Sequence, residues 1–343
     1  MARTAFVLGG TGLIARGAVP RLLEAGWDVT LGSRGERALA PELEGARHVR
    51  VDRREDGALA AAVADGTDVL VDVLPFTAAD AEQLLALAGR VGSVIAISSA
   101  SVYADDSGRS LDEATGVDDF PDLPVPIPES QPTIAPGDEG YSPGKVAMER
   151  TLLEQDALPA TVVRPCAIHG PGARLNREWH FAKRALDRRP FVAIAYGGES
   201  RFHTTASANL GELIRLVAEQ PGTRLLNCGD PDPPTVLEIS RVLARLAGHE
   251  WTEVLLPAAP PSEAVGVTPW SAPKPLVVDM STAERELGYR PVVRYEEWAE
   301  RGYAWLVEET RGRDWHEVLP ATARYLGDRF DYEAEDAFLR SLA

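Results

Sequence analysis

Short runs of apolar, often β-branched residues alternate with longer alanine- and leucine-rich stretches over residues 1–170. The runs predict strands, and they are TAFVL (4–8), DVTL (28–31), HVRV (48–51), DVLVDVL (68–74), SVIAIS (93–98) and ATVVRP (160–165). The stretches between them, such as GLIARGAVPRLLEAG and KVAMERTLLEQD, predict helices. This alternation is typical of βαβ units with helices on both faces of a parallel sheet. The runs are apolar throughout, as in strands buried on both faces. The pattern therefore predicts an α/β fold with a doubly wound parallel sheet.

The alternation weakens after residue 170. REWHFAKRALDRR and TVLEISRVLARLAG predict helices, whereas FVAIAY and RLLNCG predict strands. DMSTAERELG predicts a helix that starts with a capping box, in which Ser281 is followed three residues later by Glu284. The tail, DYEAEDAFLRSLA, predicts an amphipathic helix. These residues predict a smaller, mixed part of the protein.

One segment interrupts the alternation. Residues 104–140 are acidic and rich in proline, and they predict a long loop. A loop of this length inside a compact domain is usually either functional or disordered, and the pattern leaves both readings open. Its position just before Tyr141 suggests a lid over a substrate.

A glycine-rich turn follows the first predicted strand. In FVLGGTGLIARG, the residues Gly9, Gly12 and Ala15 are spaced three apart at a strand-to-helix junction. Small residues there let the backbone approach a pyrophosphate, which binds at the helix N-terminus. A plain tight turn is the alternative, but the surrounding βαβ pattern favours a dinucleotide. We predict a Rossmann-type dinucleotide-binding domain over 1–170, with contributions from about 200–230, and a smaller substrate-binding part over 171–343.

The end of the second strand predicts which dinucleotide binds. NAD enzymes usually have an acidic residue there for the ribose hydroxyls, whereas this chain has Ser33 and Arg34. A guanidinium can bind a 2′-phosphate, so NADP(H) is preferred and NAD(H) remains an alternative. Arg34 as a solvated surface residue is the competing reading. Asp52, after the third strand, is a candidate contact for adenine or a simple strand-end acid.

Composition excludes several other classes of protein. The chain has 343 residues and a formal charge of −17, which disfavours nucleic acid and anionic membranes as partners. No apolar run is long enough to span a bilayer, and the N-terminus reads as a first strand, so we expect a cytoplasmic protein. Cys166 and Cys228 have no metal-ligand or redox spacing, and we expect both to be buried thiols and no metal to be bound.

The pentapeptide YSPGK contains one of only three lysines in the chain. Tyr141 and Lys145 are four residues apart, so a helix places them on one face. A tyrosine is a poor acid or base near neutrality, and a nearby ammonium lowers its pKa. Ser99, in AISSASVYAD, follows a buried strand at the carboxyl edge of the sheet, where ligands of open α/β folds bind. Its hydroxyl is a candidate donor to a substrate oxygen.

These motifs together resemble one family. GGTGLIA, ISSASVY, YSPGK, VVRPCAIHGPG and STAERELGYRP, in this order, are similar to the extended short-chain dehydrogenase/reductase family, also called the NAD-dependent epimerase/dehydratase family. The resemblance covers about residues 4–310. It implies a catalytic triad in which Ser99 orients the reacting oxygen, Tyr141 is the general acid/base, and Lys145 lowers the tyrosine pKa and binds the nicotinamide ribose. Further expected cofactor contacts are Thr11, Leu13, Ile14, Leu74, Pro75, Pro165 and Ile168.

Candidate substrate contacts are less well defined by the sequence. They are Phe76, Ser101, His169, Arg174, Asn176, Trp179, His180 and Arg201. Phe76 has core packing as its alternative, His169 turn capping, and Trp179 a place in the core. The chain also departs from the family pattern. Ala100 and Ser101 replace the acid pair of family dehydratases, and no arginine precedes the DMS segment, where sugar-nucleotide members hold the diphosphate.

The sequence therefore predicts an enzyme that transfers a hydride between NADP(H) and a carbonyl or secondary alcohol of a small molecule. An epimerase that uses the same triad and retains its cofactor is the first alternative. A non-catalytic dinucleotide-sensing protein is the second. We expect no nucleic-acid or membrane partner, and a homodimer is a candidate assembly.

Overall fold

The computed structural model describes residues 2–36, 38–114 and 116–342. Its centre is a parallel sheet of seven strands in the order β10-β6-β5-β4-β1-β2-β3. These strands are β1 (Thr4–Leu8), β2 (Asp28–Ser33), β3 (Arg47–Arg50), β4 (Thr67–Asp72), β5 (Val91–Ile97), β6 (Ala160–Pro165) and β10 (Arg224–Cys228). The predicted doubly wound sheet is confirmed, with strand bounds that differ from the predicted ones by only a few residues.

Helices cover both faces of this sheet, because its strands are apolar on both sides. The helices are α1 (Leu13–Glu24), α2 (Ala58–Ala62), α3 (Ala78–Leu85), α4 (Tyr141–Leu153), α5 (Trp179–Leu186), α6 (Ser207–Glu219), α7 (Val236–Leu246), α8 (Ser281–Leu287), α9 (Tyr295–Thr310), α10 (Trp315–Val318), α11 (Pro320–Leu326) and α12 (Tyr332–Ser341). Side chains of α1 and α6 pack on one face, and those of α2, α3 and α4 on the other. The tail is helical, as predicted. None of the helices in the described residues is long and apolar enough to cross a membrane.

Two small parallel sheets lie outside the central one. They pair β7 (Ala167–His169) with β9 (Thr204–Ala206), and β8 (Phe191–Ile194) with β11 (Thr252–Leu255). A third apolar cluster joins residues of β8, α5, α7 and α9. Because β10 pairs with β6 in register, residues 224–228 belong to the central sheet although they follow the first small strands in the chain.

The acidic loop 104–140 is held by buried contacts, apart from Thr115, which lies outside the described residues. Asp105 is buried and accepts hydrogen bonds from the amides of Ser107, Arg109 and Asp122. These bonds hold the pKa of its carboxyl well below the usual range, with the Asp122 amide as the largest cause. Asn227 of β10 donates to the carbonyl of Ile127 at 3.1 Å. The described loop residues therefore pack onto the fold.

The predicted capping box at Ser281 is wrong. Ser281 is the first residue of α8 and not its N-cap. Its amide donates to Asp279 Oδ1 at 2.8 Å and its hydroxyl to Asp279 Oδ2 at 3.0 Å. The carboxylate two residues earlier satisfies the first amide of the helix, so the serine side chain is not needed as a cap.

Candidate active site

Two elements, β5 and α4, bring Ser99, Tyr141 and Lys145 to the carboxyl edge of the central sheet. Ser99 follows β5, and Tyr141 and Lys145 lie on the first turns of α4. Gly144 permits this arrangement, since a Cβ at this position would lie 2.6 Å from the carbonyl oxygen of Phe76. Helix α4 can therefore lie directly against the segment that follows β4. The glycine of the YSPGK motif is therefore explained by packing, whereas Tyr141 and Lys145 are the two candidate functional side chains of the motif.

Lys145 is buried and held by the backbone. Its ammonium donates to the carbonyl oxygens of Pro75 and Ile97, both at 2.7 Å. It lies 4.5 Å from the ring centroid of Phe76 and 5.6 Å from that of Tyr141. Burial lowers the pKa of Lys145 to about 8, although the nearby carboxylate of Asp72 raises it. The ammonium is therefore fixed in place, and its pKa of about 8 is close to neutral pH.

Tyr141 is half exposed and borders the same space. Burial of the phenol raises its pKa above the ordinary value, while a hydrogen bond with Ser99 lowers it. The charge of Asp112 also raises this pKa and that of Arg177 lowers it. The direction is opposite to the sequence-based expectation, because burial is the largest cause and the Lys145 ammonium is not among the causes. The phenol is therefore protonated at neutral pH.

The Ser99 hydroxyl ends a short chain of serines. Its Oγ accepts a hydrogen bond from the Ser101 hydroxyl at 2.9 Å, and Ser101 Oγ lies 2.7 Å from Ser142 Oγ. Since Ser101 gives its only proton to Ser99, Ser142 is the donor to Ser101. The Ser99 proton is therefore directed outward, toward the phenol of Tyr141 or a bound oxygen atom.

A cavity of about 390 Å³ opens beside these side chains. Most of its wall is apolar, and its polar and charged side chains are the hydroxyls of Ser99, Ser101 and Tyr141, the Cys166 thiol, and two arginines, Arg174 and Arg177. The complete lining is Leu13, Ser99, Ala100, Ser101, Leu111, Ile127, Tyr141, Cys166, Ile168, Arg174, Leu175, Arg177, Phe202, Leu276 and Val278. Cys166 is only partly buried, unlike Cys228, which is buried as expected. The cavity has the size of a small-molecule site.

The glycine turn fits a dinucleotide. Gly9 has φ +81°, and a Cβ there would lie 2.6 Å from Val73 Cγ2 and 2.8 Å from Leu74 Cδ1. Gly12 is the N-cap of α1, without a side-chain cap or an acidic residue in the first turn. A Cβ at Gly12 would meet nothing closer than 3.8 Å, so the space over the helix N-terminus is open. Such an N-terminus attracts phosphate through its unpaired amides.

Exposed apolar side chains continue this surface. Leu74, Phe76 and Tyr141 are each 42–50% exposed, and the Phe76 and Tyr141 ring centroids are 6.2 Å apart. Thr11 and Ile14 lie in the glycine turn and on α1, whereas Pro165 ends β6 and Ile168 lines the cavity. The predicted cofactor residues therefore follow one path along the carboxyl edge of the sheet.

The residues predicted to bind the adenosine end lie at the end of β2, where Ser33 is the last residue, and just after β2 and β3. Ser33 Oγ is 2.8 Å from His48 Nε2. Arg34 is exposed and forms an ion pair with Glu36 at 2.9 Å. The Asp52 carboxylate accepts a hydrogen bond from the Arg54 amide at 3.0 Å. These contacts leave Arg34 at the surface, where a guanidinium can change partners.

The predicted substrate residues fall into two groups. Phe76 lies beside Lys145 and Tyr141, whereas Ser101 and Arg174 line the cavity. The other five do not line it, because each is engaged elsewhere. His169 contacts Asp230, Asn176 bonds the Trp179 amide, Trp179 packs on Trp315, His180 packs on Phe181, and Arg201 donates to the Pro233 carbonyl.

Sequence reasoning missed two charged residues of the site. Arg177 lines the cavity, and its charge acts on the Tyr141 phenol. Asp72 is fully buried at the end of β4, where Arg53 Nη1 donates to it at 2.5 Å. Burial raises the pKa of Asp72, and its carboxylate is the main charge that opposes the low pKa of Lys145. An aspartate in an otherwise apolar run, DVLVDVL, was the available signal for Asp72.

Comparisons with known proteins show the family and the fold of this chain. The NAD dependent epimerase/dehydratase family matches residues 5–227. No curated protein matches the sequence. The chain belongs to the NAD-dependent epimerase/dehydratase family, whose members are enzymes of the short-chain dehydrogenase/reductase type.

Solved structures show the same fold at low sequence identity. A UDP-glucose 4-epimerase from Thermotoga maritima, solved with UDP-glucose, has a TM-score of 0.65 and 18% identity, and the match covers 89% of this chain and 99% of that one. A UDP-glucuronic acid 4-epimerase from Bacillus cereus, solved with UDP-glucuronic acid and NAD, has a TM-score of 0.63 and 17% identity over 88% and 98% of the two chains. An epimerase from Methanothermobacter thermautotrophicus has a TM-score of 0.64 and 19% identity, and the match covers 92% of this chain and 94% of that one.

Proposed function

We propose that this protein is an oxidoreductase that transfers a hydride between NADP(H) and a small carbonyl compound or secondary alcohol. The observation that carries the proposal is the convergence of Ser99, Tyr141 and Lys145 beside one cavity at the carboxyl edge of the sheet. Residues 1–170, with contributions from about 200–230, form the dinucleotide-binding part in this proposal. Residues 171–343 form the substrate-binding part, and a homodimer remains a candidate assembly.

The residues of the glycine turn suit the pyrophosphate of the cofactor. Gly9 and Gly12 allow close approach, and the N-terminus of α1 offers amides to the phosphates. In this proposal Lys145, which lies beside the exposed Phe76 side chain, would contact the nicotinamide ribose. The nicotinamide, when bound, supplies or accepts the hydride.

Tyr141 and Ser99 handle the oxygen atom of the substrate. The Ser99 hydroxyl donates a hydrogen bond to the carbonyl oxygen of the substrate. Tyr141 donates a proton to that oxygen as the oxygen gains negative charge. Because the pKa of Tyr141 is raised, the phenol carries its proton at neutral pH. A protonated phenol supports carbonyl reduction, whereas alcohol oxidation needs the phenolate and is favoured at higher pH. Reduction is therefore the proposed direction near neutrality.

The preference for NADP(H) rests on Ser33 and Arg34. No carboxylate occupies the end of β2, and Arg34 is exposed. Its ion pair with Glu36 must open to admit a 2′-phosphate. Exposed ion pairs contribute only about 0–1 kcal/mol, so this opening costs little. A charge-assisted bond from the guanidinium to the phosphate is stronger than that pair. NAD(H) remains the alternative cofactor, since the neighbouring Bacillus cereus epimerase is solved with NAD.

A nucleotide-sugar epimerase is the second candidate. It is favoured by the family and by neighbours that are solved with UDP-sugars. Two basic residues, Lys274 just before the DMS segment and the candidate substrate residue Arg201, do not favour it because each is engaged within the protein. Lys274 pairs with Asp122 at 3.3 Å, and Arg201 donates to the Pro233 carbonyl at 2.5 Å. A 4,6-dehydratase lacks support because Ala100 and Ser101 offer no acid. The non-catalytic cofactor sensor is disfavoured, because a protein that only binds a cofactor does not need the set of Ser99, Tyr141 and Lys145.

Net cofactor turnover separates these candidates. The purified protein is incubated with NADPH and a panel of carbonyl compounds, and separately with UDP-glucose and with UDP-galactose. We expect stoichiometric oxidation of NADPH by at least one carbonyl compound. Conversion between UDP-glucose and UDP-galactose without net NADPH loss would replace the oxidoreductase proposal by the epimerase. No reaction of either kind, with tight NADPH binding, would favour the sensor.

A further inference from the structure

We propose that the substrate of this cavity is a small amphipathic anion, whose carboxylate or phosphate group is held by Arg174 and Arg177 and whose body is apolar. The inference rests on the proposed function only in placing the reacting carbonyl beside Ser99 and Tyr141. It adds the chemical class of the substrate, and it names a binding residue, Arg177, that the sequence pattern did not single out.

The charged side chains of the cavity wall are cationic. Among the residues that the structure describes, Arg174 and Arg177 are the only charged side chains in its lining, and no carboxylate lines it. The chain as a whole has a formal charge of −17, so a purely cationic lining is contrary to its composition. Among the described residues, most arginines form ion pairs with acids, but neither Arg174 nor Arg177 has an acid within 4.0 Å. Arg174 is exposed, and the Arg177 guanidinium lies 5.9 Å from the centroid of the Tyr325 ring. Guanidinium groups without an acidic partner on the wall of a cavity are suited to an anionic ligand.

The surroundings of Arg177 place its charge inside the site. Its charge lowers the pKa of both the Tyr141 phenol and the Cys166 thiol, although burial raises both. The charge of Asp112, which does not line the cavity, acts on the phenol in the opposite direction. The nearest acid along the chain, Glu178, is buried and does not line the cavity. Burial raises the pKa of this carboxyl, although the charges of His169 and Arg177 lower it, so burial opposes the neutralisation of Arg177 by Glu178. The Arg177 guanidinium therefore remains available to a ligand that also reaches Tyr141.

The rest of the wall defines the body of the ligand. It is built mainly from aliphatic and aromatic side chains, including Leu111, Ile127, Phe202, Leu276 and Val278. A nucleotide and a sugar need many hydrogen-bond partners, and polar groups left without partners cost affinity. Ser99 and Ser101 are engaged with each other, and the proposed function assigns the Ser99 proton to the reacting oxygen. An apolar chain or ring that links the carbonyl to one anionic group matches this wall better than a nucleotide sugar.

Binding of simple probes tests the proposal without any turnover. The protein saturated with NADP⁺ is titrated by calorimetry with octanoate, octyl phosphate, octanamide and UDP-glucose. The amide keeps the apolar chain and removes the charge. The variants are Arg174→Gln and Arg177→Gln. Arg311→Gln is the matched control, because Arg311 is exposed and pairs only with Glu308 at 3.0 Å. NADP⁺ binding by each variant verifies that it is folded.

We expect octanoate or octyl phosphate to bind at least about tenfold more tightly than octanamide. This is the gain in affinity that one charge-assisted hydrogen bond to an arginine gives. Whichever binds more tightly identifies the anion as carboxylate or phosphate. Arg177→Gln or Arg174→Gln should weaken binding of the anion about tenfold or more and leave the affinity for octanamide unchanged. Arg311→Gln should change neither affinity.

Three results would overturn the proposal: equal binding of octanamide and the anions, equal loss in Arg311→Gln, or arginine-dependent binding of UDP-glucose alone. Failure of the proposed function looks different. In that case no carbonyl compound oxidises NADPH, while arginine-dependent binding of the alkyl anion persists.

Discussion

The titration of Lys145 gives the most quantitative prediction. Burial lowers its pKa from the ordinary 10.5 to about 8. At about 1.36 kcal/mol per unit, this shift means that the folded protein disfavours the ammonium by roughly 3 kcal/mol. The unfolded chain binds the proton more tightly, so it holds more protons between pH 8 and 10.5. The contribution of Lys145 to the free energy of unfolding must therefore rise with pH across this window.

Two assays measure this effect. Lysine labelled at Cε with a heavy carbon isotope gives one resonance for each of the three lysines, and Lys145→Met identifies its own by loss. We expect that resonance to titrate near pH 8. Urea unfolding should show the free-energy difference between wild type and Lys145→Met growing in favour of wild type by up to roughly 3 kcal/mol from pH 8 to 10.5.

The control is Lys274→Met, because Lys274 is partly exposed and pairs with Asp122. Its free-energy difference from wild type should not grow in the same way over the window. A Lys145 midpoint at or above 10.5, together with a pH-independent difference for Lys145→Met, would refute the reasoning that burial governs this ammonium.

Three further predictions concern the cofactor, the loop and helix α4. NADPH should bind about tenfold or more tightly than NADH, and Arg34→Ala should remove most of this preference by weakening NADPH alone; a variant that keeps the preference contradicts the assignment. Hydrogen exchange over 104–140 should slow when NADPH and a substrate bind together, because Leu111 and Ile127 line the cavity; unchanged exchange counts against a lid. Glu149→Gln should lower the free energy of unfolding by about 3–5 kcal/mol, because Arg164 donates to the buried Glu149 carboxylate at 2.8 Å; an effect no larger than that of the exposed Glu154→Gln would disprove this.

The sheet was predictable because its signal is local and repeated. Strands such as TAFVL coincide with β1 because apolar residues buried on both faces must lie between helices. The small strands were harder to predict, since β7 and β9 have three residues each and depend on pairing across the chain. The capping box failed for a similar reason. The Asp279 carboxylate accepts a hydrogen bond from the first amide of α8, and a pattern search does not distinguish this acid from Ser281 two residues later.

The site was predictable where residues act at a fixed spacing. Tyr141 and Lys145 belong to one helix, so their convergence follows from helix geometry. Burial and charge at a distance were not predictable. The pKa of Tyr141 is raised because burial outweighs the effect of its neighbours. His169 and Arg177 lie eight residues apart, yet only Arg177 lines the cavity, because Asp230 engages His169 at 2.9 Å.

Tyr141→Phe is the measurement that tests the central claim most directly. The variant keeps the ring beside Phe76 and removes only the proton donor. With a carbonyl compound that the wild type reduces, NADPH oxidation should fall about 10²–10⁴-fold, whereas NADPH binding should stay unchanged because Lys145 remains. Tyr303→Phe, which alters a partly buried tyrosine in another apolar cluster, should retain wild-type turnover. Near-normal turnover in folded Tyr141→Phe would contradict the assignment of this phenol as the general acid.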